Sequence, residues 1–232
     1  VSFDIFDTLI CRPFYNPDQL FINIEKYLDE KFNEKTNFFR QRKAAEIRAQ
    51  NSLHREVNYE DIYAELMKDE NIRANITEEA YKIEFLYEQK VTLPRNEGIR
   101  AYNYALDKGK RVLLISDMYL TKSQVGLLLK KHSITQYDAM YLSSQMNKRK
   151  DNASMWNYLI EKEKLTDNNF AHIGDNEHSD IQLPGDRRLH NYHFMSAKNI
   201  FENTKAGQDI IENNRDINTQ IFLGPVINKL YN

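Results

Sequence analysis

Four short polar clusters stand along the chain in a fixed order, and each position that can be checked follows a short apolar run. Asp4-Ile-Phe-Asp7-Thr8 follows Val1-Ser2-Phe3, and Ser116-Asp117 follows Arg111-Val-Leu-Leu-Ile115. Lys150-Asp151 comes next, and Gly174-Asp175-Asn-Glu-His-Ser-Asp180 follows Phe170-Ala-His-Ile173. Short runs of β-branched and aliphatic residues are how strands of a buried parallel sheet read in sequence. Ligands of open α/β sheets bind at the carboxyl ends of such strands. The pattern therefore predicts an α/β fold with a Rossmann-like parallel sheet that gathers acids, a hydroxyl and a lysine at one edge.

These residue types suit phosphoryl transfer. A carboxylate such as Asp4 can attack phosphorus to give an acyl phosphate only where the charge of the phosphate and its transition state is neutralised. Mg²⁺ and a lysine do this, and Mg²⁺ favours one or two carboxylates with substrate oxygens and water, which matches Asp4 and Asp175 with Asp180 beside them. Ser116 would donate to a non-bridging phosphoryl oxygen and Lys150 would supply fixed positive charge.

On these motifs the chain resembles the haloacid dehalogenase-like superfamily of phosphatases and phosphotransferases, over a core from Val1 to about Phe194 interrupted by an insertion. The resemblance implies Asp4 as nucleophile, Ser116 as the hydroxyl of the second motif, Lys150 as the lysine of the third, and Asp175 and Asp180 as the acids of the fourth. Met146-Asn-Lys-Arg-Lys150 also offers Lys148 for the lysine role. The wording Phe3-Asp-Ile-Phe-Asp-Thr-Leu9 with Ser116-Asp-Met-Tyr-Leu120 is similar to a bacterial branch found with glycosyltransferases of surface-polysaccharide synthesis. A fused or associated glycosyltransferase is the partner that this branch implies.

One position departs from the resemblance. Phosphatases of this superfamily carry a second aspartate two residues after the nucleophile, where it protonates the leaving group and then deprotonates water; here that residue is Phe6. Its backbone carbonyl would still serve the metal. Asp7 is one residue further on, and continued strand geometry would turn it to the other face. A positioned acid or base contributes roughly 10²- to 10⁴-fold in rate, so alkyl phosphomonoesters are expected to be poor substrates. Three readings follow: a phosphatase or phosphotransferase for a small metabolite with a good leaving group, such as an anhydride or an anomeric sugar phosphate; a dehalogenase-like hydrolase acting at carbon; or a silent binding module. A metal-free dehalogenase has no need of Asp175 and Asp180, which disfavours the second.

Composition narrows the class. The 232 residues suffice for one large domain, or a core with a cap. With 32 basic and 34 acidic residues the balance is near neutral, which gives no support to nucleic-acid binding or a polybasic anchor. No apolar run reaches the length of a membrane span. The single cysteine, Cys11, cannot form an internal disulfide and is expected to be a buried bystander in a reducing, cytoplasmic setting. The chain opens on Val1 inside the first expected strand, which reads as a domain excised from something longer.

Periodicity places a helical cap at residues 16–93, inserted between core segments 1–15 and 94–232. Leu20, Ile24, Tyr27 and Leu28 share one helical face after Pro17. Asn58-Tyr-Glu-Asp61 has the form of a capping box, and Thr77 is expected to cap another helix. Arg40, Arg42, Lys43 and Arg48 read as a solvated face. Arg12, just past the first cluster, is the expected substrate-facing cation; Asp117 and Tyr119 are expected to border the substrate. Strands are expected at 111–115, 139–142, 170–173 and 190–195. The tail segment Phe222-Leu-Gly-Pro-Val-Ile227 is expected to break at Gly-Pro, and either docks on the core or meets another domain.

Overall fold

The computed structural model describes residues 1–213 and 217–232. In chain order the elements are β1 (Ser2–Phe3), β2 (Ile10–Cys11), α1 (Gln19–Phe32), α2 (Phe38–Leu53), α3 (Tyr59–Leu66), α4 (Ala74–Val91), β3 (Leu93–Pro94) and α5 (Asn96–Asp107). There follow β4 (Leu113–Ser116), α6 (Lys122–Lys131), β5 (Ala139–Leu142), α7 (Ser143–Met146), α8 (Ser154–Glu163) and β6 (Ala171–Gly174). A π-helical turn (Glu177–Gln182) leads through α9 (Leu183–Gly185) to β7 (His190–His193), α10 (Ala197–Glu202), α11 (Lys205–Asn213) and α12 (Ile217–Tyr231).

The sheet is parallel throughout, in the order β5-β4-β1-β6-β7. Both of its faces are covered, and β4 shows why its sequence is continuously apolar. Leu114, with neighbouring Val112, packs with Tyr102, Val125 and Leu128, whereas Leu113 and Ile115 pack with Met155, Trp156 and Leu159. Successive side chains thus enter opposite layers. The expected strand start at Arg111 moves to Leu113 because the Val112 N–H is taken by the Asp138 carboxylate at 2.8 Å.

A two-stranded antiparallel pair, β2 with β3, stands where the chain leaves the sheet and returns. Helices α1–α4 lie between these strands and share one apolar cluster with the sheet, in which Leu20, Ile24 and Ile62 join Phe3 and Leu114. The Asn58–Asp61 capping box forms, and a second one, Thr121 with Gln124, opens α6. Two local expectations fail. Tyr27 is exposed and donates to Glu79 instead of packing. Helix α4 starts at Ala74, so Thr77 is a buried helical residue and not a cap.

The larger correction concerns Arg42. It is fully buried, with Nε and Nη2 on Glu84 at 3.0 and 3.1 Å and Nη1 on Glu46 at 3.1 Å. Tyr63 donates to the same Glu84 carboxylate at 2.6 Å, and the guanidinium lies over the rings of Phe21, Tyr63 and Tyr119. The amphipathic pattern of α2 conceals this, because a charge can occupy an inward position once a partner 42 residues away supplies a matching fork.

Helix α12 runs through Gly224-Pro225 unbroken and docks on the segment after β2. A Cβ at Gly224 would fall 2.6 Å from the Pro13 carbonyl oxygen, so glycine lets the helix lie against that backbone. Asn228 donates to the Arg12 carbonyl at 3.3 Å and Asn232 to that of Pro94 at 2.8 Å, while Arg95 donates to the Tyr231 carbonyl at 3.1 Å. Cys11 is buried and donates to Asn228 at 3.2 Å.

Breaking a buried ion pair leaves an uncompensated charge, at a cost of about 3–5 kcal/mol, whereas replacing both partners by apolar residues is often near neutral. Glu84→Leu is therefore expected to destabilise the protein by about that amount, and adding Arg42→Met to restore most of it, as measured by denaturant unfolding.

Candidate active site

The register of the sheet assembles the clusters. Phe3 pairs with Leu114 on one side and Ile173 on the other, so the following residue, Asp4, lies between the ends of β4 and β6. Its N–H donates to the Ile173 carbonyl at 2.8 Å. Ser116 ends β4, Asp175 follows β6, and Asp180 lies in the π-helical turn. Gly174 is required there: a Cβ would come within 2.5 Å of the Asp180 side chain.

Lys150 joins these pieces. Its buried ammonium donates to Asp4 Oδ1 at 2.5 Å and to Asp180 Oδ1 at 2.6 Å. Lys148 instead lies near the ring of Tyr158. Asp117 braces the loop: both its oxygens accept from the Lys150 N–H, at 2.9 and 3.0 Å, and one accepts from Asp151 N–H at 3.2 Å. It also lines the cavity, so the same carboxylate holds the Lys150 backbone and borders the open space.

A cavity of about 380 Å³ opens over this group, walled by Asp4, Phe6, Asp7, Ser116, Lys150 and Asp175 among others. Asp7 does not turn to the opposite face as strand geometry would dictate. The chain leaves the strand after Phe3, Leu9 N–H and Ile10 N–H both bond the Ile5 carbonyl, and Asp7 takes a φ of 56°, which aims it at the cavity wall. A second cavity of about 250 Å³ adjoins the first, sharing Asp117 and Arg149, with Arg12 and Tyr119 on its wall. Arg12 is not a free cation. Its Nε donates to Glu88 at 2.7 Å, and its guanidinium lies 4.6 Å from the centre of the Phe6 ring. The Tyr119 hydroxyl is buried without a partner.

The charges explain what the site wants. Burial, and then the charges of Asp4, Asp7 and Asp180, push the Asp175 carboxyl up to about 9. Burial also raises Asp4, to about 7, against the opposing pull of Lys150. Burial works against ionised Asp180 as well, but there Lys150 and His172 prevail and hold it well below the usual carboxylate range. Burial likewise opposes the Lys150 charge and is outweighed by Asp180 and Asp4. One ammonium thus faces three carboxylates whose oxygens lie within 4.8 Å of one another. An all-oxygen donor set short of positive charge fits a hard divalent cation.

Sequence reading missed two participants. Arg149 lines the cavity, clamps Asp151 with Nε and Nη2 at 2.8 and 2.6 Å, and reaches Glu56 at 3.0 Å. His172 is fully buried and bonds Asp180 at 3.1 Å; a lone histidine in the run Phe170-Ala-His-Ile173 was the available signal. His178 bonds Gln182 and the Asp151 carbonyl, outside the carboxylate group.

No protein-family model matches the sequence, and no curated protein matches it. Solved structures do match the fold. A haloacid dehalogenase-like family hydrolase from Xanthomonas campestris superposes with a TM-score of 0.58 at 14% identity, over 84% of this chain and 81% of that one. A phosphatase of the same superfamily from Thermococcus onnurineus gives 0.50 at 18%, over 83% and 84%. A 2-haloacid dehalogenase from Pseudomonas syringae gives 0.53 at 14%, over 83% and 84%. Identities this low show the fold, which phosphatases and dehalogenases share, and leave the chemistry to the site.

Metal binding to a protonated carboxyl must displace the proton. With Asp4 raised to about 7 and Asp175 to about 9, cation affinity should climb as pH rises through that range, with proton release visible by calorimetry in buffers of different protonation enthalpy. The sign is fixed by the direction of the shifts: the raised carboxyls are protonated at low pH and compete with the cation there.

Proposed function

We propose that this haloacid dehalogenase-like fold is a Mg²⁺-dependent phosphatase or phosphotransferase acting through an aspartyl phosphate on a small phosphorylated metabolite, with an anomeric sugar phosphate as the preferred class. The observation that carries this reading is Lys150 bonded at once to Asp4 and Asp180, with Asp175 beside them. Carbon-centred displacement of a halide needs no such excess of carboxylates.

Asp4 attacks phosphorus in line as the bond to the leaving oxygen breaks, giving an acyl phosphate; water then attacks phosphorus and returns the Asp4 carboxylate and inorganic phosphate. Lys150 keeps positive charge beside the attacking carboxylate, and Ser116, on the same cavity wall as Asp4, donates to a phosphoryl oxygen. Asp4, Asp175 and Asp180, with the Phe6 carbonyl and water, would hold Mg²⁺. The ion, when bound, neutralises phosphoryl oxygens and supplies the charge that the carboxylates lack. The helical segment 16–93 acts as a cap, and the smaller cavity, bounded by its Glu46 and Gln50 and by Arg12 and Tyr119, receives the leaving group. Arg12 serves there as a wall, since Glu88 neutralises it.

Phe6 has no proton to give, and Asp7 lines the same cavity, its carboxyl raised by burial against the pull of Arg12, Arg95 and Lys198. The aspartyl phosphate should outlast that of an enzyme with an acid at position 6.

Intact-protein mass spectrometry after acid quench tests the reading. With Mg²⁺ and acetyl phosphate the wild type should gain one phosphoryl group on Asp4, and Asp4→Asn none; no adduct and no phosphate release would leave a binding module. Asp7→Asn separates the two half-reactions: if Asp7 assists water, breakdown of the adduct slows by roughly 10²- to 10⁴-fold while its formation from acetyl phosphate persists.

A further inference from the structure

His172 stands on β6, with Ser2 beside it on β1 by the register of the sheet. Both side chains are fully buried. His172 Nε2 is 3.1 Å from Asp180 Oδ1, and Nδ1 is 2.7 Å from Ser2 Oγ. An ionised carboxylate can only accept, so Nε2 carries the hydrogen. In a neutral ring Nδ1 is then the acceptor, and the Ser2 hydroxyl donates to it. The edge of Trp156 packs against the imidazole with ring centres 4.8 Å apart, and its Nε1 donates to the Ser179 carbonyl at 2.8 Å, pinning the turn that bears Asp180.

The hydrogen bonds of Asp180 can be counted. A carboxylate has about four lone-pair positions. Oδ1 accepts from Lys150 at 2.6 Å and from His172 at 3.1 Å, which fills it. Oδ2 accepts from the Asn176 N–H at 3.1 Å and keeps one position. The two oxygens are therefore unequal. Without His172, Oδ1 would also have a vacant position and the carboxylate would be freer to turn about its axis.

We propose that His172 is a positioning residue of the cation site: held by Ser2, it joins Lys150 in saturating Asp180 Oδ1, fixes the carboxylate plane, and leaves Oδ2 as the oxygen presented to Mg²⁺. This rests on the cation-dependent reading above. It extends that reading to residues that reach no substrate, in the manner of outer partners that orient metal ligands. It also accounts for a buried polar pair in the middle of a sheet, where apolar residues would pack without any hydrogen bonds to satisfy.

The test is Mg²⁺ titration by calorimetry on the full chain, with thermal unfolding as the control, for wild type, His172→Leu, His172→Gln and Ser2→Ala. His172→Leu should weaken Mg²⁺ binding by about 10- to 100-fold. His172→Gln, whose amide can donate to the same oxygen, should recover most of that loss, and Ser2→Ala, which frees the ring without removing its donor, should show a smaller loss. Wild-type affinity in a folded His172→Leu protein would overturn the inference, as would His172→Gln behaving like His172→Leu. If His172→Leu fails to fold, Ser2→Ala and His172→Gln decide: unchanged affinity in Ser2→Ala combined with a loss in His172→Gln as large as 100-fold would overturn it. Absence of Mg²⁺ binding by the wild type itself would overturn the cation reading, an outcome distinct from any behaviour of the variants.

Discussion

A single buried ammonium organises this molecule's polar end. Lys150 reaches Asp4, the residue just past β1, and Asp180, in the turn after β6, while Asp117 grips its backbone from the end of β4. Three elements that share no local sequence are thereby referred to one charge. Buried ion pairs are poor evidence for stability, since desolvation offsets much of the attraction. Their worth here lies in register: removing the lysine would leave two desolvated carboxylates facing each other, and the site would have to open or take up protons. The same arithmetic leaves one carboxylate too many, and the raised Asp4 and Asp175 record that imbalance.

Much of this was legible in the sequence because strand ends announce themselves. A run such as Val112-Leu-Leu-Ile115 needs burial on both faces, and a polar residue directly after it has only the sheet edge to occupy. Asp4, Ser116 and Asp175 were placed by that logic alone. What escaped was every side chain whose fate depends on a distant partner or on a single backbone angle. Arg42 looked like a surface charge until Glu84 met it; Arg12 looked free until Glu88 did. Asp7 was misdirected by assuming that strand geometry continues, when one left-handed residue reverses its aim. Asp117 looked only like a substrate contact, because nothing in its neighbourhood of sequence shows that a loop 33 residues later will bring two N–H groups to it.

Helix α4 is the spine of the inserted helices. Glu84 and Glu88, one turn apart and both buried, receive Arg42 from α2 and Arg12 from the segment after β2. Arg12 in turn lies over Phe6. A continuous run of charge and ring contacts therefore connects the wall of the larger cavity to the interior of the helical insertion. The aromatic residue at position 6 takes part in this run, so it has a structural occupation there that an aspartate would not fill.

The docking of α12 on the β2–β3 region constrains the order in which the chain can fold. Residues Gly224, Asn228 and Asn232 close over backbone that begins only a few positions beyond Asp4. The segment beside Asp4 therefore has no cover until a helix more than two hundred residues further along the chain docks on it. The sheet cannot complete earlier either, because β1 sits at its centre and waits for β4 on one side and β6 on the other. Folding can therefore begin with the local helices α1–α4, whereas the polar end of the sheet forms only when segments distant in sequence meet, in a late, all-at-once event.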